Sequence, residues 1–438
     1  MGKPNIVMLV MDTARAKNFS CYGYEKKTSP FIDSVAKEGM IFENCYANAP
    51  WTLPSHYSMF TGEDPTKHDY NSKDMRGRIE KETVSEKLSE KGYQTIGISN
   101  NGYISPLYGF DQYFDKFHFN AESAAIESML LFEEDEIFME MLEGEREDRW
   151  NSTSEKYRDF LLRTISEKSV KSLINGAYYL FNQKILSGKD SVDDGARKSN
   201  EIALEEVKNI EKPYFLFINY VEAHTPYEPP EEYAEKFLDE EEIEEAKKAA
   251  ETDSIVKLRE RRERDHEAEL IEDLYNAEIR YLDDRIKELI ENLEELDEDT
   301  IFLILSDHGE YFGEHRLWEH MARLDEEVLK VPFVVKNAGK GSESEFFGLN
   351  NIQDYMLNLS EGKNDWESGS FVSYYEGLES HQWSIETEDF PEEFLNPQIY
   401  YGENGEVNYF QSKNFDKIPD TSLKNRLTRD NLIEDIDF

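Results

Sequence analysis

Polar residues stand where short apolar runs stop. Asp12 follows IVMLVM, Asn100 follows TIGIS, His224 follows FINYVEA, and Asp307 with His308 follows IFLILS. Thr52 lies in APWTLPSHYSMFTG, a stretch that reads as a helix with Pro54 in its first turn. Asp12, Asp307 and His308 supply two carboxylates and an imidazole, a set suited to one divalent cation. Such donors suit Ca²⁺, Mg²⁺ or Mn²⁺ better than Zn²⁺, without excluding it. A Thr52 hydroxyl at the same edge can join that cation, which lowers its pKa and makes an alkoxide accessible. The free N–H groups and dipole of a helix N-terminus favour an anion there. The chemistry is attack on a tetrahedral anionic ester, with His224 and His320 holding oxygens or protonating the leaving group. Each residue alone has a plainer reading: a Thr cap, an Asp turn, a loop histidine. Their convergence on one edge argues for a site.

The elements between them must supply that edge. NIVMLVM (5–11), TIGIS, YFLFINYV and TIFLILS read as buried strands, each following a helical stretch or a break, and VPFVVK adds one more. Ile279, Leu282, Ile286, Leu289 and Ile290 form the apolar stripe of one such helix. Strands alternating with helices predict a doubly wound parallel α/β sheet, in which ligands bind at the carboxyl ends of the strands. Two helical insertions interrupt the pattern, at about 120–195 and 231–272, the second almost wholly charged. From about 340 the composition shifts to Gly, Ser, Asn and Tyr, and GENGE between Tyr-bearing runs signals a hairpin. We read a catalytic domain over 1–340 and a small C-terminal α+β subdomain over 341–438.

The net charge is −45, yet Tyr and Phe are plentiful at 25 and 26, so the chain is folded rather than a disordered acidic tail. So acidic a surface repels nucleic acid and anionic membranes and fits a salt-adapted protein. Stability is therefore expected to rise with KCl at molar levels. A melting temperature that falls steadily as KCl is added would overturn the halophilic reading. Cys21 and Cys45 are the only cysteines and make no disulfide framework. The apolar N-terminal run is too short for a signal peptide or a membrane anchor, so a cytoplasmic location is expected.

Taken in order, NIVMLVMDTAR, APWTLPSHYSMFTG, VEAHTPYEPP and ILSDHGEYFGEHRLWEH followed by VPFVV resemble the sulfatase family of the alkaline phosphatase superfamily. The matches run over about 3–118 and 196–340. The resemblance implies an alkaline-phosphatase-like α/β fold and a metal-dependent ester hydrolase. It implies Asp12, Asp307 and His308 as metal ligands and Thr52 at the nucleophile position. It sets His224 against the substrate anion and His320 near the leaving group. His56 and Asn100 stand where the family has basic substrate-binding residues. Three departures bear on the chemistry. Thr52 replaces the Cys or Ser that is oxidised to formylglycine, and a secondary alcohol would give a ketone instead. His56 replaces Arg, and Thr13 replaces a second Asp.

The reading is a sulfate-ester hydrolase acting on a small anionic ester, such as a sulfated or phosphorylated glycan. Alternatives are a phosphomonoesterase, phosphodiesterase or phosphoglycerol-type transferase using unmodified Thr52, or a pseudoenzyme that binds an anion or a protein. No second triad of ligands stands out; Glu310, His315 and His320 are loose candidates for another ion.

Overall fold

The central strands are buried at every position and mostly apolar because helices cover both faces of the sheet. In β1 (Asn5–Met11), Val7, Leu9 and Met11 join one buried cluster while Ile6, Met8 and Val10 join another. The same period-two division runs through β6 (Tyr214–Tyr220) and β7 (Thr300–Ser306). Together with β2 (Met40–Phe42), β4 (Gln94–Ser99), β5 (Lys116–Phe119), β10 (Phe333–Lys336) and β11 (Gly341–Glu343), these build one eight-stranded sheet. Its order is β11-β2-β10-β7-β1-β6-β4-β5. The computed structural model describes residues 2–68, 81–120, 195–210, 213–250, 266–320, 323–367, 369–375, 398–403 and 405–411. All fall in one compact unit, Met1–Asn120 with Val192–Phe438. The helical reading of 121–194 lies outside them, as do residues 251–265.

The run β7-β1-β6-β4-β5 is parallel, as the alternation predicts. The sheet as a whole is mixed: β10 runs antiparallel to both β7 and β2. VPFVVK follows TIFLILS without an intervening crossover helix long enough to bring the chain back parallel, so it pairs by reversal. Gly39, between α1 (Pro30–Glu38) and β2, is required sterically, because a Cβ there would meet the Val335 carbonyl oxygen of β10 at 2.2 Å.

On one face lie α1, α4 (Ala196–Lys208), α5 (Glu240–Ala250) and α6 (His266–Leu296). On the other lie α2 (Thr52–Thr61), α3 (Val84–Glu90) and α7 (Ile352–Ser360). The charged stretch after 231 contains α5, whose Ile243, Ala246 and Ala249 are buried, and runs into α6. Asp283 of α6 caps α1 from outside that helix. Its carboxylate accepts from Phe31 N at 2.9 Å and Ile32 N at 2.8 Å, two donors α1 leaves unpaired. Among the described residues, no helix is long and apolar enough to cross a membrane.

A second, five-stranded sheet has the order β15-β14-β13-β12-β3. It joins β13 (Ser370–Tyr375), β14 (Gln398–Glu403) and β15 (Glu406–Gln411) to β12 (Phe347–Gly348) and β3 (Cys45–Tyr46). β14 and β15 form the hairpin that GENGE signalled, with Glu403 opposite Glu406 and Gly405 at φ 80°. Tyr46 stacks on Phe371 at 4.1 Å between ring centres, which ties the early strand β3 to β13.

Candidate active site

Parallel register brings the strand ends level. Met11 lies opposite both Tyr220 and Ser306, and Ser99 lies opposite Asn219. Asp12 and Asp307 therefore leave the sheet side by side at its carboxyl edge, with Asn100 level with them beyond β6. Asp12, Asp307 and His308 are fully buried, and each offers one ligand atom, all within 4.8 Å of one another. Among the described residues they are the one group with metal-ligand spacing.

Hydrogen bonds aim these atoms. His308 Nδ1 lies 3.0 Å from the Gly309 carbonyl oxygen. A carbonyl only accepts, so Nδ1 carries the proton and Nε2 presents its lone pair. That lone pair sits 3.5 Å from Asp12 Oδ1 and 3.5 Å from Asp307 Oδ2. Among the described residues, neither oxygen has a hydrogen-bond donor. The other oxygens are occupied: Asp307 Oδ1 accepts from Thr13 N and His308 N, and Asp12 Oδ2 from the Asn101 amide. Burial pushes the Asp12 carboxyl up to about 6. Burial, and then the charge of Asp12, pushes Asp307 well above the ordinary carboxylate range. Burial, then His320 and His224, holds His308 well below the ordinary imidazole range. Three buried electron-pair donors facing one another, two of them carboxyls whose charge burial opposes, are the arrangement a cation relieves. The residues present fit one divalent ion.

Thr52 reaches the same point. It opens α2, where Trp51 provides no side-chain cap, and its Oγ1 lies 3.3 Å from His308 Nε2. Ser55 Oγ donates to the Asp307 carbonyl at 2.7 Å, tying the first turn of α2 to the end of β7. His56 is fully buried against Phe110 and Phe217, and its Nδ1 donates to the Thr52 carbonyl at 2.9 Å. Burial lowers His56 to about 4, so it is neutral and braces the helix turn from inside. Asn100 accepts from Ser199 Oγ of α4 at 3.0 Å, and it is the next residue, Asn101, that touches Asp12.

His320 and His224 stand beside the cluster, their rings 5.3 Å apart and His320 4.5 Å from His308. His320 Nδ1 meets Glu310 Oε1 at 3.0 Å, and Tyr227 donates to Glu310 Oε2 at 3.2 Å. Burial pushes Glu310 up to about 7, against the pull of His224, Tyr227 and Arg15. Burial lowers His224, but Asp12 and Glu310 outweigh it and hold the imidazole above its ordinary value. His320 is held well below, by burial and then by His224. His315 lies beside Asp325 and Glu327, at 3.9 and 4.0 Å.

The loops that carry these groups are locked by residues whose types alone did not mark them. Thr13 takes φ 57°, a left-handed conformation costly for a β-branched residue, and its Oγ1 donates to Ala223 O at 2.5 Å. Gly309 admits no side chain, since a Cβ would meet Glu327 O at 2.2 Å. Arg15 is fully buried and donates to Glu272 at 2.5 Å, Glu314 at 2.9 Å and the Glu310 carbonyl at 3.1 Å. It clamps the loop after β1 to the loop after β7.

This clamp predicts an acid limb. Burial opposes the charge of Glu314, but Arg15 outweighs it and holds the carboxyl at about 2, against 4.5 ordinarily. The folded value lies below the unfolded one, so the pair stabilises above about 4.5 and is lost as pH falls through about 2. The contribution at neutral pH is on the order of 3 kcal/mol. Glu314→Gln should flatten the fall in stability over that window in a denaturant series at stepped pH. An unchanged acid limb would show that the pair contributes nothing.

A family model described as Sulfatase matches residues 4–356. The chain is 23% identical over 428 residues to an arylsulfatase of Clostridium perfringens, covering 92% of this chain and 82% of that one. It is 24% identical over 373 residues to iduronate 2-sulfatase of Mus musculus, covering 77% of this chain but 60% of that longer one. The crystal structure of a phosphonate monoester hydrolase of Agrobacterium radiobacter superposes with a TM-score of 0.61 at 12% identity, covering 98% of this chain and 95% of that one. The fold is the α/β fold of the alkaline phosphatase superfamily, and the chain belongs to the sulfatase family.

Proposed function

We propose that the protein is a metal-dependent hydrolase of sulfate esters, with the unmodified Thr52 hydroxyl as nucleophile. One observation carries this reading: Thr52 Oγ1, Asp12 Oδ1 and Asp307 Oδ2 gather around the unprotonated Nε2 of His308. Asp12, Asp307 and His308 would hold a divalent ion, Ca²⁺, Mg²⁺ or Mn²⁺ before Zn²⁺. Such an ion lowers the pKa of a nearby hydroxyl and offsets charge on ester oxygens.

The chain's own groups do the rest. Thr52 stands at a helix N-terminus, where free N–H groups favour the anionic ester and the charge that develops on attack. Its Oγ1 gives up its proton to solvent water and forms the new bond to sulfur as the bond to the alcohol oxygen breaks. His224, charged more readily than an ordinary imidazole, gives a proton to the departing alcohol. Water then attacks the sulfur of the Thr52 ester, the bond to Oγ1 breaks, sulfate leaves, and the water's protons restore the Thr52 hydroxyl and the charged His224. Glu310 orients His320 by its Nδ1, leaving Nε2 for the substrate side.

A phosphoester is the second reading, favoured by Thr52 itself. Its secondary alcohol cannot yield an aldehyde, so the chemistry is that of a plain hydroxyl, which serves phosphorus as well as sulfur. A sulfated glycan suits the first reading and a phosphodiester the second. The deciding experiment is a paired assay in molar KCl with each divalent metal in turn, using p-nitrophenyl sulfate, p-nitrophenyl phosphate and its bis-ester. Sulfate turnover supports the first reading and phosphate turnover alone the second. Bound metal with no turnover of any ester overturns both in favour of a binding protein.

A further inference from the structure

The two oxygens of Asp12 have different surroundings. Oδ1 has no donor among the described residues and lies 3.5 Å from His308 Nε2. Oδ2 accepts from the side-chain amide of Asn101. The orientation of that amide is set independently. Tyr103 N donates to Asn101 Oδ1 at 2.7 Å, and a backbone N–H can only donate. The amide oxygen must therefore face Tyr103, which leaves the NH₂ group for Asp12. The backbone of Asn101 is fixed as well: its N–H donates to Ser99 Oγ at 3.1 Å, and that hydroxyl donates back to Asn101 O at 3.3 Å. Asn101 is buried and stands at the end of β4, with β6 lying between β4 and β1. Its contact with Asp12 thus bridges across the end of β6.

We propose that Asn101 is a positioning residue for the metal ligand Asp12. By holding Oδ2 it prevents the carboxylate from pivoting and commits Oδ1 to the ion. A neutral amide does this without offsetting the negative charge, so the whole charge remains for the cation, which a lysine in the same place would reduce. The proposal rests on the metal site of the proposed function.

The test is a titration of Mn²⁺ into the metal-free full-length protein, with the free ion followed by its paramagnetic resonance signal. Asn101→Asp keeps an oxygen for Tyr103 N but turns the donor toward Asp12 into another acceptor. Asn101→Ala removes both contacts. Both should raise the Mn²⁺ dissociation constant by about 10–100-fold, the usual cost of losing an outer-shell partner. Asn101→Ser, expected to show the same loss, replaces either variant that does not fold. A role in the turn alone requires the opposite pattern: Asn101→Asp would bind Mn²⁺ within about twofold of wild type, far below the outer-shell cost, and would overturn the proposal. Loss of Mn²⁺ in Asp307→Asn but not in the Asn101 variants would overturn this proposal alone. Wild-type protein that takes up no Mn²⁺ would overturn the metal site and this proposal with it.

Discussion

Thr52→Ala is expected to lower ester turnover by at least about 10⁴-fold, the scale seen when a nucleophile is deleted. Fold and metal content should be kept. Among the described residues the hydroxyl's one hydrogen-bond partner is His308 Nε2 at 3.3 Å, so losing it costs the fold on the order of 1 kcal/mol. The brace from His56 runs to the Thr52 carbonyl, which alanine retains, and Ser55 still ties α2 to Asp307. Thr52→Ser keeps a hydroxyl at the same atom and should stay active. Turnover in the Ala variant equal to wild type would remove Thr52 from the chemistry. A sulfated or phosphorylated peptide containing Thr52, trapped by acid quench during turnover and found by mass spectrometry, would identify the atom that attacks.

Asp307→Asn should abolish metal binding and activity together, yet leave the metal-free protein as stable as wild type or more so. Burial and the neighbouring Asp12 both oppose the charge of Asp307, so removing that charge relieves the metal-free fold. The amide oxygen can still accept from Thr13 N and His308 N. Its NH₂ group would then sit near His308 Nε2, 3.5 Å from the present Oδ2, and donate to the lone pair the ion needs. Metal affinity should fall by more than the roughly 100-fold that outer-shell changes cost. Elemental analysis and melting curves with and without chelator check both halves. Wild type should lose stability on chelation and the variant should not. Unchanged metal content in the variant would remove Asp307 from the ligand set.

The two predictions probe one cluster, and its parts were legible to different degrees. Asp12, Asp307 and His308 could be read because parallel strands buried on both faces are mostly apolar runs, so charged residues where such runs stop mark the carboxyl edge. Thr52 could be read because Pro54 and the apolar run behind it announce a helix start. Asn100 and Asn101 could not be told apart, because adjacent residues leaving a strand diverge. The Ser99 and Tyr103 contacts decide which one faces Asp12. Arg15 carried no signal either, and Glu310 stood only among the loose candidates for another ion. Their partners, Glu272, Glu314 and His320, are brought to them by the loops after β1 and β7 and by α6.

Local chemistry in the sequence was enough to determine the alternation of strand and helix, the sheet edge where the polar residues gather and the residue types that could bind an ion, because hydrophobic period and chain breaks act over a few residues. The antiparallel entry of β10, the capture of Cys45–Tyr46 by the second sheet and the convergence on His308 Nε2 were decided only by tertiary structure. Each depends on a register or a hydrogen bond between segments far apart in the chain, and such pairings are set by packing rather than by either segment alone.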